Sequence, residues 1–83
     1  MRKSIHTESQ KHLQALLREM RLEKGLRQGD LAKRLGTPQS FVSKYEAGER
    51  RLDLLEIRAI CNSLDISFVK FIETLEGKIN GTE

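Results

Sequence analysis

Eighty-three residues, 37% apolar and 33% charged, suit one small compact domain and exclude a disordered chain. At this length only roughly 60% of the unfolded chain's surface is buried on folding, so a second copy would add useful stability. Net charge is +3, but residues 1–51 carry twelve Lys/Arg against six Asp/Glu and residues 52–83 carry three against six, which points the front half at a polyanion.

The first helix is predicted from Glu8 to Lys24, with Thr7 and Gln10 at capping-box spacing and Leu13, Leu16, Leu17 and Met20 on one stripe. Gly25 suits a left-handed cap, and Leu26 can fold back onto the helix end. A second helix, Gln28 to Leu35, buries Leu31, Ala32 and Leu35 and stops at Gly36. Thr37-Pro38 restarts the chain as a third helix, Gln39 to Ala47, which buries Val42 and part of Tyr45 and is capped by Gly48. After the loop Glu49–Leu52, Asp53 opens a fourth helix, Leu54 to Leu64. Ser67 opens a fifth, Phe68 to Glu76, with Phe68, Phe71, Ile72 and Leu75 as its stripe. The division expected is a flexible arm over 1–7, a folded domain over 8–76 and a frayed tail over 77–83. No strand pattern or repeat occurs, so the fold class is all-α.

No apolar run nears the ~18 residues that cross a bilayer. The basic start Met1–Gln10 lacks the apolar stretch of a secretion signal, so a cytoplasmic protein is expected. Cys61, the one cysteine, falls at helical spacing with Ile57, Ile60 and Leu64 and reads as apolar filler; a redox sensor would need exposure and a lowered pKa. His6 and His12 do not share a helix face. No nucleophile–base pair, phosphate-cradling loop or metal-ligand set stands out, so neither an enzyme nor a cofactor or metal is expected. What does stand out is two short amphipathic helices around Gly36, with Gln39, Ser40, Ser43 and Lys44 on the side of the second that its apolar residues leave open. Two helices held by so short a turn form a helix-turn-helix unit, whose second helix can enter the DNA major groove.

The order Gly25-Leu26-x-Gln28, Leu31-Ala32, then Gly36-x-x-Gln39-Ser40-x-Val42-Ser43-Lys44-Tyr45-Glu46-x-Gly48 closely resembles the XRE-type, phage-repressor-like helix-turn-helix family, over about Leu16 to Leu75. The resemblance implies a five-helix, lambda-repressor-like bundle that binds operator DNA as a two-fold dimer, with the third helix as the recognition helix. Gln39, Ser40 and Lys44 match base-reading positions, although the helix alone would equally make them solvated polar residues. Gln can pair with adenine N6 and N7, and Lys can reach guanine O6 and N7. Gln28 matches a glutamine that bonds a phosphate and often braces the residue at Gln39; otherwise it merely caps the second helix. Ser43, Arg50 and Arg51 look like phosphate anchors. Arg27 replaces the usual Thr or Ser, removing an N-cap but adding positive charge beside the DNA backbone. Gly29 is a second departure and should loosen the helix start. Phe41 could contact a thymine methyl, but packing is favoured. Arg21 and Glu46 match a structural ion pair. The apolar surplus on the fifth helix implies a dimer interface through Val69, Ile72 and Leu75, the alternative being that all of it closes the bundle.

The function implied is a homodimeric transcriptional regulator, a repressor or autoregulator, on a pseudo-palindromic operator of double-stranded DNA, with no cofactor. A rival from another class is an antitoxin that neutralises a toxin through its last two helices. A restriction–modification controller protein is a subtype of the first; it resembles this chain in size and in stopping after the fifth helix.

Overall fold

Five helices occupy residues 7–81, the part of the chain described by a computed structural model: α1 (Glu8–Glu23), α2 (Gln28–Leu35), α3 (Gln39–Glu46), α4 (Leu54–Ser63) and α5 (Phe68–Gly81). Side-chain caps set most of the starts. The Thr7 hydroxyl accepts from the Gln10 N–H at 3.2 Å, and Ser67 accepts from Lys70 at 3.2 Å. Asp53 and Glu56 exchange reciprocal bonds of 2.7 and 2.9 Å at the start of α4, a complete capping box.

The first four helices end in left-handed residues. Gly36, at φ 73°, lets the Thr37 N–H return to the Ala32 carbonyl at 3.0 Å, so α2 stops and α3 begins after only Gly36, Thr37 and Pro38. Gly48, at φ 80°, is constrained twice: a Cβ there would also stand 3.0 Å from Gln14 Nε2. Asp65 takes the same backbone role after α4 at φ 61°, a position a short polar side chain tolerates.

The core draws on every helix: Leu16 and Leu17 from α1, Leu31 and Ala32 from α2, Val42 and Tyr45 from α3, Ile60 and Cys61 from α4 with Leu64 at its end, and Phe71 from α5. α2 packs on α3 and α4, while α1 closes over α3 and α5. Cys61 is filler: burial pushes its thiol up to about 11, away from the reactive thiolate. Tyr45 stands edge-on to Phe41, with ring centroids 5.5 Å apart. Its buried hydroxyl has no hydrogen-bond partner among the described residues, and desolvation raises its pKa, holding the phenol neutral.

Four boundaries differ from expectation. α1, α3 and α4 each end one residue early, with Lys24, Ala47 and Leu64 as their caps. More substantially, the tail expected to fray from Gly77 continues α5 to Gly81. Ile79, one turn beyond Leu75, is half-buried and prolongs the apolar stripe, and Lys78 lies in the last turn, where the helix dipole favours a cation. Thr7 belongs to the α1 cap rather than to an arm. The rest of the expected arm, residues 1–6, and the end of the expected tail, residues 82–83, lie outside the described residues.

Candidate nucleic-acid interface

α3 buries Val42 and Tyr45 completely and Phe41 in part, which fixes its rotation on the bundle. Its opposite side carries Gln39, Ser40 and Lys44, all exposed. Ser40 and Lys44 are one turn apart and share a face. Pro38 precedes the helix in extended conformation and supplies no side-chain cap, leaving the N–H groups of the first turn without that partner. Half-buried Ser43 donates its hydroxyl to the Ser40 carbonyl at 3.3 Å, so donating to a phosphate requires that proton to leave the carbonyl.

The residue expected to contact phosphate from α2 is partly engaged. Gln28 donates its amide Nε2 to Glu46 Oε1 at 3.0 Å. Glu46, in turn, holds Arg21 through Nε–Oε2 at 2.7 Å and Nη2–Oε1 at 2.9 Å, with both side chains at most 6% exposed. Arg21 Nη1 donates to the Leu26 carbonyl at 2.7 Å, so one guanidinium ties α1, the end of α3 and the loop before α2. The hydrogen bond to Glu46 raises the Arg21 pKa against the opposing effect of burial.

Arg27 behaves differently from expectation in two ways. α2 keeps half a capping box: a guanidinium cannot accept, but the Asp30 carboxylate accepts the Arg27 N–H at 2.9 Å. The same carboxylate takes Arg27 Nε at 3.2 Å and Nη2 at 3.3 Å, which offsets the extra positive charge. Arg27 holds the Asp30 carboxyl below its ordinary range.

Arg50, expected at phosphate, holds its guanidinium carbon over the Phe41 ring, 4.7 Å from the centroid, and is gripped by both oxygens of Glu56, at 3.1 and 2.8 Å. It also donates to the Arg51 carbonyl at 3.1 Å. The arrangement positions an exposed cation beside α3, with Glu56 held below the usual carboxylate range chiefly by Arg50. Arg51 and Lys44 are exposed as well. Arg50→Ala is expected to weaken binding to every DNA sequence alike and to make the slope of log affinity against log salt shallower by about one, read from anisotropy titrations at several salt concentrations.

Between the first turn of α2 and Gln39 lies an open groove of about 550 Å³, lined by Arg27, Gln28, Gly29, Lys33 and Gln39 among others. Gln39 Oε1 rests 3.7 Å from where a Cβ on Gly29 would sit, ordinary contact distance. Gly29→Ala therefore meets no clash and is expected to stabilise the fold by up to about 1 kcal/mol, read from urea unfolding.

Val69 and Ile72, expected at a dimer interface, are 67% and 41% exposed. Leu75 is half-buried and packs against the core on the Phe68–Phe71 side of α5, which leaves part of its surface for such an interface. Leu54 and Leu55 at the start of α4 are 61% and 73% exposed and were missed. The signal was there, since α4 has more large apolar residues than the stripe through Ile57, Ile60, Cys61 and Leu64 can bury. Arg34 was also missed; it donates to the Ser63 carbonyl at 3.0 Å and ties α2 to the end of α4. Among the described residues no group of His, Cys, Asp and Glu could hold a metal ion, and no helix is long and apolar enough to cross a membrane.

The helix-turn-helix family model matches residues 17–71, from within α1 to Phe71 of α5. An XRE-family like protein from Pseudomonas syringae pv. tomato str. DC3000 is 42% identical over 89% of this chain and 90% of its own, with a TM-score of 0.83. The wild-type restriction-modification controller protein C.Esp1396I is 28% identical over 89% of this chain and 97% of its own, with a TM-score of 0.82. The same controller, solved as a tetramer in complex with its natural 35 base-pair operator, matches at 28% identity over the same shares, with a TM-score of 0.81. None of the curated proteins matches. With the family model spanning most of the fold and the turn between α2 and α3 within it, this chain belongs to the XRE family of helix-turn-helix proteins.

Proposed function

We propose that this chain is a sequence-specific DNA-binding transcriptional regulator of the cytoplasm, working as a homodimer on a pseudo-palindromic operator. The observation that carries this is the exposed polar face of α3, backed by buried Val42 and Tyr45, on a helix tied at its end to Arg21 and Gln28 through Glu46. A rigid helix of that kind fits the major groove, and a dimer would place two copies about 34 Å apart, one turn of DNA. Gln39, Ser40 and Lys44 face the bases, which supply choice. Arg27, Ser43, Arg50 and Arg51 face phosphates, which supply affinity. Gln28 gives one N–H of its amide to Glu46 and keeps the other for a phosphate, beside the backbone N–H groups that open α2.

Val69 and Ile72, with Leu54 and Leu55, offer exposed apolar side chains for a two-fold contact, on helices that pack against each other. Likeness to a controller that binds its operator favours the restriction–modification subtype. Methylase and nuclease genes beside this one would identify it. Selection of bound duplexes from a random pool tests the function as a whole: a two-fold symmetric motif is expected, and enrichment of no motif would overturn it.

A further inference from the structure

We propose that Glu56, in the first turn of α4, is a positioning residue for DNA: it presets one edge of the Arg50 guanidinium for a phosphate. This rests on the chain being a DNA-binding protein. A guanidinium carries five N–H donors in a fixed plane. Both Glu56 oxygens sit at its end, Oε1 accepting from Nη1 at 3.1 Å and Oε2 from Nη2 at 2.8 Å. The second N–H of Nη1 goes to the Arg51 carbonyl, 3.1 Å away. What remains is Nε–H and the other N–H of Nη2, which meet no acceptor among the described residues. These two point the same way along one edge, the fork that takes two phosphate oxygens at once.

That edge is held in place from two sides. Phe41 lies beneath the guanidinium carbon and is itself edge-on to buried Tyr45, so the platform belongs to α3. Glu56 is fixed by α4, since its Oε1 also accepts the Asp53 N–H at 2.9 Å in the capping box. The Arg50 side chain nonetheless stays 40% exposed, within reach of a ligand. A loop arginine is thus tied to two helices before DNA arrives and has little rotamer freedom left to lose on binding. Charge alone gives Glu56 the opposite role. A carboxylate near DNA repels phosphate, so neutralising it would tighten binding. If Glu56 positions Arg50, the same change weakens binding.

The test titrates the selected operator and a random duplex, by anisotropy, with Glu56→Gln made in the wild-type protein and in Arg50→Ala. Glutamine keeps the shape and still accepts the Asp53 N–H, so α4 keeps its capping box. Its NH2 group cannot accept from Nη2, so the two-bonded grip on Arg50 is lost. Glu56→Gln should weaken both duplexes alike, by roughly threefold to tenfold, as one long side chain must then be ordered on binding. In Arg50→Ala the same substitution should tighten binding, because only repulsion is removed. In the free wild-type protein the Arg50 Nη protons, assigned by their loss in Arg50→Ala, should give separate NMR signals from hindered rotation. Those signals should merge in Glu56→Gln. Unchanged or tighter binding by Glu56→Gln in the presence of Arg50 would overturn the proposal, as would merged Nη signals in the wild-type protein. Weaker binding in both backgrounds would make Glu56 a cap of α4 and nothing more, which overturns it too. If the wild-type protein binds neither duplex, the proposed function itself fails, an outcome distinct from any of these.

Discussion

Arg21→Met is expected to destabilise the fold by about 3–5 kcal/mol, measured as a loss of free energy in urea unfolding. The methionine can fill much of the space of the arginine stem, so the cost is electrostatic. Glu46, with its side chain 3% exposed, would keep only the Gln28 amide as partner among its present three bonds. The Leu26 carbonyl would lose its donor as well. Against a total stability of roughly 5–15 kcal/mol for a domain, that loss is a large share. The charge-balanced Arg21→Met/Glu46→Gln protein should recover much of it, since neutral groups of similar shape replace a buried pair at little cost. A loss under about 1 kcal/mol in the single variant would mean that water reaches Glu46 and that the pair does not hold α1 to α3.

Gln39→Ala is expected to cost roughly 1–3 kcal/mol on the selected operator and little on random DNA. Gln39 is exposed and caps nothing, so thermal unfolding of the variant should match that of the wild-type protein. The contrast with Arg50→Ala carries the argument, because phosphate contacts act on every sequence and base contacts on one. Equal losses on operator and random DNA would refute base reading by this residue.

Much of the fold was legible because its signals are local. Thr7, Asp53 and Ser67 lie where caps are needed, and Gly36 and Gly48 lie where the backbone turns left-handed. The end of α5 was obscured by Gly77, a weak helix former, whose local preference is overridden by Ile79. The exposed face of α3 was legible from the spacing of Val42 and Tyr45. The partners of the charged residues were not, since Arg50 with Glu56 and Gln28 with Glu46 meet only once loops and helices have docked. The outward face of α5 was partly legible: Leu75 lies on the turn after Ile72, but the stripe drifts and turns part of it to the core.

The central claim is that the outer atoms of α3 touch base edges. Its most direct test is to repeat the DNA selection with Lys44→Gln beside the wild-type protein. The two enriched motifs should agree everywhere except at one symmetric pair of base pairs, where guanine gives way to adenine. Identical motifs from the two proteins would contradict the claim.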